Sequence, residues 1–371
     1  MSEYRMYCDG QPVWKTGSAD KTLAVRNPKY VDEIRKTASL SFTLPKINAA
    51  FSSLAPKTSL ITLWEDGEII FHGQPASVVK TLSGDLAVVC ESAMGFLNNS
   101  SWISVTTAGG TIVPIKKDHG YSTAVSPATS TWIEYFLDMY SAEASGDRPV
   151  QLGQVYSSAA SVTARAPVTF PTVRDMLLAF EAQNGGLLAP HWSVVSGVVL
   201  TYIDYWDAAE IPTGNQAITF GVNMLDLSDQ LDEGAIFTVL TAYDSDNNNW
   251  YTYQDADHVA AYGTIHKGIE ISGINSRWSS GTLGLQTETQ RYYNENAYGL
   301  RELKLKALDL SVAGVDVSRL RVGFYNRVLS PAHGLDVEMQ CQKITRLLDQ
   351  PGRSVYEFGQ VRRTLTGQIP R

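Results

Sequence analysis

The segment between Tyr298 and Gly359 indicates the fold most clearly. It consists of YGLRELKLKALDLSVAG (298–314), LRVGFYNRVLSPAHGLDVEMQCQKI (320–344) and LLDQPGRSVYEFG (347–359), with short connections between them. Apolar residues alternate there with charged or polar ones: Leu303, Leu305 and Ala307, then Val337, Met339 and Cys341. A period of two is typical of strands that bury one face. Pro351-Gly352 indicates a turn before a last strand at 354–358. We therefore expect this part of the chain to be β-structure.

The first third of the chain shows the same alternation. IRKTASLSFTL (34–44) predicts one strand with a single apolar face, broken only at Lys36. LITLWEDGEIIFHG (60–73) contains two apolar runs joined by Asp66-Gly67, a pair that tolerates positive φ in a tight hairpin turn. A further strand is expected at 86–90. Residues 1–105 are thus predicted to form a small antiparallel barrel or sandwich.

The middle of the chain changes character. Residues 106–130 are rich in Thr, Ser, Ala, Gly and Pro, which favours a linker or long loop. Thr131 with Glu134, and Thr172 with Asp175, have the spacing of capping boxes, so each pair predicts the start of a helix. Strands are expected at 192–195 and 198–202. The region 106–216 is therefore interpreted as a linker followed by an α+β insertion.

A second informative segment is QAITFGVNMLDLSDQLDEGAIFTVLTAYD (216–244). It predicts a strand through Ile218 and Phe220, a Leu/Asp-rich crossing, and a strand at 235–242. The order of these features weakly repeats that of the first third. We accordingly divide the chain into a first barrel at 1–105, an insertion at 106–216, a second barrel at 217–243 with 318–371, and a second insertion at 244–317.

These segments, in this order, resemble phage tail hub or tail-tip proteins. The likeness is to the amino-terminal region of siphophage tail-associated lysins (the prophage tail endopeptidase family) and to the baseplate hub of contractile-tailed phages. The hub pattern I-x-F-G-x-N-x-x-D-L is matched by Ile218, Phe220, Gly221, Asn223, Asp226 and Leu227. The resemblance implies an α+β, β-rich fold of two related small antiparallel barrels with α/β insertions. It also implies a homotrimer arranged as a pseudo-six-fold ring that docks on a six-fold tube.

The resemblance implies a structural role at the virion tail tip after folding and assembly in the bacterial host cytoplasm. Implied partners are a distal tail protein or tail tube ring, the tape measure protein, and receptor-binding or tip proteins, with transient passage of DNA. In this family an enzymatic or receptor-reading extension often follows the barrel. Only about a dozen residues follow Gly359, so we expect that extension to be missing. A cell-wall endopeptidase and a carbohydrate-binding adhesin remain the alternatives.

Composition narrows the function classes. The net charge is −8, and the basic runs are only pairs, so stable binding of nucleic acid is not expected. Charged residues make up 18% of the chain, below the roughly 25% typical of soluble domains. Such a fraction is found both in proteins partly covered by partners and in β-rich monomers. No secretion signal or apolar run of membrane-spanning length occurs. Cys8, Cys90 and Cys341 are expected to be buried free thiols.

Catalytic and metal-binding motifs are scarce. HExxH, GxSxG and P-loop patterns are absent, so we predict no enzyme activity and no cofactor. His258 and His266 are expected on one side of strand-like sequence, without supporting metal ligands. The pairs Glu65-Asp66 and Asp232-Glu233 are interpreted as turn residues.

One segment imitates a calcium loop. Its candidate ligands are Asp244, Asp246 and Asn248 at positions one, three and five, and Asp255 at position twelve. Asn249 stands where such loops need glycine, and Asp255 is shorter than the usual glutamate. We therefore favour an Asx-rich loop that joins two strands.

A ring that passes DNA should have a lumen that repels phosphate. Three chains would carry about −24, three times the −8 of one chain. We expect acidic and neutral polar groups to line the lumen. The candidates are Asp66, Glu68, Asp226, Asp229 and Asp232.

Overall fold

The computed structural model describes residues 3–100, 104–106, 112–114, 129–143, 148–157, 172–184, 186–232, 236–245, 247–271, 281–297 and 300–361. The chain divides into two compact units. The first consists of Met1–Asp226 with Leu305–Arg371, and the second is Leu227–Lys304. The second unit is thus inserted into the first between two points of the sequence.

Strands dominate the described residues, and their bounds follow in chain order. They are β1 (Tyr4–Cys8), β2 (Gln11–Lys15), β3 (Arg26–Glu33), β4 (Ser39–Leu44), β5 (Ile61–Glu65), β6 (Glu68–Lys80), β7 (Leu86–Ser92), β8 (Ser104–Thr106), β9 (Ile112–Pro114), β10 (Val150–Tyr156), β11 (Leu187–Val195), β12 (Val198–Trp206), β13 (Ile218–Thr219), β14 (Met224–Asp232), β15 (Val239–Asp244), β16 (Asn249–Gln254), β17 (His266–Ile271), β18 (Leu300–Ala307), β19 (Tyr325–Ser330), β20 (Leu335–Leu347) and β21 (Val355–Val361). The α-helices are α1 (Thr129–Glu143), α2 (Val173–Asn184), α3 (Ala256–Tyr262) and α4 (Gly281–Asn296).

Thirteen strands form one curled sheet that runs through both ends of the chain. Its main path has the order β14-β18-β21-β20-β3-β4-β7-β6-β5-β1-β2, with β19 beside β20 and β13 beside β19. Near the middle of this order, β20 and β3 join the carboxyl-terminal and amino-terminal strands. They are antiparallel, and Lys343 pairs with Glu33 and Leu347 with Lys29. The predicted β-rich α+β class is confirmed. The division into two barrels with the bounds given above stays a prediction.

The strand predicted at 34–44 is shorter than expected. Leu40, Phe42 and Leu44 are buried in β4, as the alternation requires, and each such side chain contributes about 1.5–3 kcal/mol on full burial. The amino-terminal part of that segment is instead a turn between β3 and β4, in which Arg35 has φ 60°. The break in periodicity at Lys36 marked this turn.

The hairpin between β5 and β6 is confirmed. Asp66 and Gly67 have φ of 51° and 92°, and Glu65 pairs with Glu68 across the turn. Positive φ at both central residues defines the turn whose twist suits adjoining strands, and glycine adopts it without steric cost.

The first insertion contains α1, α2 and a small sheet of order β10-β12-β11. The capping box at Thr172 is confirmed, since Thr172 N donates to Asp175 Oδ2 over 2.9 Å and Asp175 N donates to Thr172 Oγ1 over 3.1 Å. The box predicted at Thr131 is wrong, because α1 already begins at Thr129. The apolar stripes of both helices share one core, which includes Ile133, Phe136, Met176, Leu177 and Phe180.

The crossing predicted after Phe220 is wrong. The first strand ends at Thr219, a turn follows, and the Leu/Asp-rich sequence forms β14. The alternating apolar residues of that sequence are typical of a strand, which the structure contains. The acidic residues between them had favoured a loop. By contrast, the alternation in β18 is confirmed, with Leu303, Leu305 and Ala307 all buried.

The second unit has its own small core. Its sheet has the order β16-β15-β17, with β16 antiparallel and β17 parallel to β15. One core cluster joins Phe237 and Leu240 to Tyr293 and Ala297, and Ala242 packs with Leu285 of α4. Among the helices that the structure describes, none combines the length and apolarity that crossing a membrane requires.

Candidate functional site

A buried carboxylate lies at the junction between the two ends of the chain. The side chain of Glu65, at the end of β5, is 1% exposed. Its Oε1 accepts a hydrogen bond from Tyr4 over 2.8 Å, and its Oε2 lies 2.5 Å from Arg346 Nη1 and 3.1 Å from Arg319 Nη1. Burial, and then the nearby Glu65 carboxylate, raise the pKa of Tyr4. A buried charge of this kind is stable only when it is paired and hydrogen-bonded, as it is here.

Arg319 extends this network to the surface. Its Nη2 contacts Asp66 Oδ2 at 2.6 Å, and its Nη1 lies 3.8 Å from Glu68 Oε2. The β5–β6 hairpin is therefore held to the segment before β19 by a guanidinium that bridges three carboxylates. This arrangement fixes two distant parts of the sequence against each other.

The sequence interpretation of Glu65 was wrong and that of Asp66 was right. Asp66 lies in the turn, but Glu65 is a core residue whose partners are 254 and 281 positions away (319 − 65 and 346 − 65). The strand alternation did contain a signal, because Ile61 and Leu63 point inward and Glu65 shares their face. No local feature identifies the arginines.

A cleft of about 610 Å³ opens beside this network. Its lining includes Trp64, Trp192, Trp206, Arg174 and Arg321, which come from the sheet and from the first insertion. The cleft thus follows the seam between the insertion and the sheet.

An ion pair closes one side of the seam. Arg35 Nε donates to Glu181 Oε1 over 2.9 Å, and the carboxylate side chain is 2% exposed. Burial raises the pKa of Glu181, although the Arg35 guanidinium opposes the shift. The turn in which Arg35 has positive φ therefore precedes a contact with α2, which the Arg35 side chain makes.

The family-like segment after β13 forms a rigid turn. Asn223 is buried, its Oδ1 accepts from Thr219 N over 2.8 Å, and its Nδ2 donates to the carbonyl groups of Ala217 and Leu308. Gly221 has φ 79°. Phe220 and Val222 of the turn, and Leu225 at the start of β14, are more than half exposed. We name these three side chains the apolar turn. Three exposed apolar side chains held in a fixed conformation are suited to a protein contact.

The described calcium candidates have partners within the protein. Asp244 Oδ2 accepts from Asn247 Nδ2 over 2.6 Å. Asn248 has φ 54° in the β15–β16 hairpin, and its Oδ1 accepts from Tyr243. Asp255 caps α3, accepting from the backbone N–H groups of residues 257 and 258. Asp246 lies outside the described residues. Two of the carboxylates therefore already have other partners, and the preference for an Asx-rich loop over a calcium site stays a prediction.

The histidine pair does not share a strand. His258 is buried in α3, with Nδ1 2.9 Å from Tyr293 Oη, whereas His266 is the exposed first residue of β17. The prediction that both lie in strand-like sequence and face one side is therefore wrong. Across the described ranges, no three His, Cys, Asp or Glu side chains are grouped so that they could hold a metal ion.

The three cysteines are buried and free, as the sequence predicted. Burial raises the pKa of Cys8 to about 12, with Asp9 adding to the shift. Burial likewise raises the pKa of Cys90 and of Cys341. Reactive cysteines have lowered pKa values and some exposure, so these thiols have the properties of core residues.

The acidic residues proposed to line the lumen differ in exposure and in their ion-pair partners. Asp66 is paired with Arg319, while Glu68 is 69% exposed. Asp226 is 64% exposed and lies 3.9 Å from Lys306 Nζ. The side chains of Asp229 and Asp232 lie outside the described part of the chain. Their place along a lumen stays a prediction.

The chain is similar in structure to three solved tail proteins. A 43 kDa tail protein of prophage MuSo2 from Shewanella oneidensis has a TM-score of 0.59 and 12% identity, covering 97% of this chain and 98% of its own. A tail protein from Neisseria meningitidis MC58 has a TM-score of 0.57 and 12% identity, covering 98% and 96%. Prophage tail protein gp18 from Listeria monocytogenes EGD-e has a TM-score of 0.55 and 9% identity, also covering 98% and 96%.

Sequence comparisons gave no further relative: no family model matches the chain, and no curated protein matches it. The structural likeness nevertheless extends over nearly the whole of each pair of chains, which confirms the resemblance inferred from sequence at the level of the fold. The chain has the fold of phage and prophage tail proteins.

Proposed function

We propose that this chain is a structural component of a phage or prophage tail, placed at the tail tip or baseplate hub. As a homotrimer it would close the tail tube and adapt a six-fold tube to a three-fold tip during DNA delivery. The observation that carries the proposal is the length of the likeness: 97–98% of this chain matches 96–98% of three tail proteins. A shared fold alone does not imply a shared function, so the local geometry has to support it.

The buried network supports a mechanical role. One sheet continues through both ends of the chain, and Glu65 with Arg319 and Arg346 fixes the two ends together. A tail component transmits force without coming apart, and paired buried charges with strand pairing resist relative movement of the two ends. The proposed neighbours are a tail tube ring or distal tail protein, the tape measure protein, and receptor-binding or tip proteins.

The apolar turn supports a contact between subunits. Phe220 and Val222 lie on a turn fixed by Asn223, Leu225 follows at the start of β14, and all three are exposed in the single chain. We assign this turn to the interface with a second copy in the trimer. Burial of such a rigid apolar patch is favourable, because little conformational entropy is lost when it is covered.

A structural role also fits the chemistry of the described residues. The thiols are buried, and the carboxylates of Glu65 and Glu181 are engaged by arginines. We therefore propose that the chain does not hydrolyse peptidoglycan or protein. Clearing of purified cell walls in a zymogram by this chain alone would support the endopeptidase alternative instead.

The mass in solution tests the proposal. Light scattering at micromolar concentration should give about 122 kDa, three times the 40.7 kDa of one chain. The same measurement with the tail tube ring protein of the parent phage should show a complex that contains three copies. A chain that is monomeric both alone and with that ring would contradict the proposal.

A further inference from the structure

The sheet of the second unit has one face covered by α4 and one face open to solvent. Leu240 and Ala242 of β15 lie on the covered face. We define the open face by the exposed and half-buried side chains that alternate with them. They are Thr241 and Tyr243 of β15, Trp250, Thr252 and Gln254 of β16, and His266, Gly268 and Glu270 of β17. Val239 alternates in the same way but is buried.

The open face carries an aromatic platform. Tyr243 and Trp250 are cross-strand partners, and their ring centroids lie 4.4 Å apart with an interplanar angle of 34°. Tyr243 donates its hydroxyl hydrogen to Asn248 Oδ1 over 3.2 Å, which orients its ring. Trp250 is nevertheless 68% exposed. Tyr243 and Trp250 together thus present a contiguous aromatic surface on this exposed face.

Polar groups surround this platform. The hydroxyl oxygens of Thr241 and Thr252 lie 3.0 Å apart on the next cross-strand row. Glu270 is the register partner of Tyr243 on the other side, and Gln254 is exposed at the far end of β16. Hydroxyl, amide and carboxylate groups thus lie beside an aromatic surface, and each can donate or accept hydrogen bonds.

Gly268 leaves room over the middle of the open face. It pairs with Thr241 near the centre of β17, its φ is outside the left-handed region, and a Cβ atom there would meet nothing within 4 Å. Neither crowding nor backbone conformation requires a glycine at this position. Glycine weakens a strand interior, and one common reason to place it there is the close approach of a ligand.

The area of the open face limits the size of the ligand that it can bind. Three strands about 4.8 Å apart and five residues long cover roughly 10 by 17 Å. A standard protein interface buries about 800 Å² on each partner, which is far larger. A saccharide fits better, because the apolar face of a sugar ring stacks on an aromatic ring while its hydroxyl groups bond to polar neighbours. Glu270 disfavours a ligand that carries negative charge.

We propose that the open face binds an uncharged saccharide, with Trp250 as the stacking platform and Gly268 as the position that leaves room for the sugar on β17. This site is independent of the proposed subunit contacts, so failure of either proposal leaves the other in place.

Calorimetry on the full chain tests the site with four neutral probes: chitotetraose, cellotetraose, maltotetraose and mannotetraose. At least one should bind with a dissociation constant of about 1 mM or below. Trp250→Ala should weaken that binding about tenfold or more, and Gly268→Val should weaken it similarly by placing a side chain in the open space above β17. Both positions are exposed, so both variants should keep the thermal midpoint of the parent chain.

Tyr156→Ala is the matched control, since Tyr156 is an exposed aromatic residue of the first unit, outside the apolar turn. It should leave saccharide binding unchanged. Absence of binding for all four probes would overturn the proposal. So would binding that survives both Trp250→Ala and Gly268→Val, because the saccharide would then lie elsewhere.

Discussion

Arg346 Nη1 lies 2.5 Å from Glu65 Oε2, although 281 residues separate the two side chains in sequence. Both are buried, and β3 and β20 pair in the same sheet. The ion pair therefore holds the two ends of the chain in one register. Its net effect on stability is small if both charges are replaced together, but loss of one partner leaves the other buried and unpaired.

We expect Glu65→Leu to lower the free energy of unfolding by about 3–5 kcal/mol, because Arg346 then keeps its buried charge without that carboxylate. The double variant Glu65→Leu with Arg346→Met should recover much of the loss. Urea unfolding followed by fluorescence measures both. Arg327→Met is the matched control, as it breaks an exposed arginine–aspartate pair and should change stability little. A Glu65→Leu variant as stable as this control would contradict the interpretation.

The pH dependence of stability should reflect His72. Burial lowers the pKa of His72 to about 4 from its ordinary 6.5, so the unfolded chain takes up a proton between these values and the folded chain does not. The stability present above pH 6.5 is therefore lost as the pH falls towards 4, by up to about 3 kcal/mol. His72→Gln should remove this part of the slope in unfolding experiments across that window.

His266→Gln provides the comparison for His72, because His266 is exposed at the start of β17. Carboxyl groups titrate in the same window in all variants, so only the difference from the parent chain is informative. An identical slope in the parent chain and in His72→Gln would show that the buried imidazole does not contribute.

Asp255 should stabilise the second unit as a helix cap and without calcium. Asp255→Ala removes the acceptor for two backbone N–H groups of α3 and should cost about 1 kcal/mol in EDTA. Asp255→Asn should cost less, since asparagine also caps helices. Thermal scans should show the same midpoint with EDTA and with calcium. A calcium-dependent rise in the parent chain that Asp255→Asn abolishes would restore the calcium site.

The apolar turn should control assembly. Phe220→Asp and Val222→Asp place charge on exposed positions, so folding should persist while the proposed trimer dissociates. Light scattering reports the mass, and circular dichroism reports the fold. Leu82→Asp introduces the same charge at a fully exposed apolar position outside the turn and should leave the mass unchanged. A trimer that survives both substitutions in the turn would place the interface elsewhere.

The assembled protein should not hold DNA. The net charge of −8 per chain disfavours contact with phosphate, since binding by counterion release needs clustered lysine or arginine. Gel-shift assays with duplex DNA at low salt should show no retained complex. Tight binding that weakens steeply as salt is raised would contradict both this expectation and an acidic lumen.

A local feature of the fold could be predicted from sequence where the residues that determine its conformation all lie within one short segment. Asp66-Gly67 forms its turn, Thr172 and Asp175 cap α2, and the alternating residues of β4 and β18 are buried as their period requires. In each case the conformation depends on residues that are neighbours in the chain. The capping box at Thr131 failed because neighbouring Thr and Ser residues offered several equivalent starting points.

Features that depend on distant partners could not be predicted in the same way. The sequence around Glu65 resembles a turn, and only the folded sheet brings Arg319 and Arg346 to it. Arg35 adopts positive φ in a turn that ends β3, where Glu181 of α2 meets it. His258 lies in a short helix capped by Asp255, a residue whose position had suggested a calcium ligand. Long-range pairing decided the first two of these outcomes, and the local cap of α3 decided the third.

The second unit leaves the first after Asp226 and returns at Leu305, and Lys306 Nζ lies 3.9 Å from Asp226 Oδ2. Because β14 and β18 are neighbours in the large sheet, the segment between them can be lengthened, shortened or replaced without changing either strand. Recombination between related genes could therefore replace residues 233–299 as a cassette and leave the assembly surface intact. If those residues recognise sugars, one exchange would alter what the particle attaches to while its architecture is inherited unchanged.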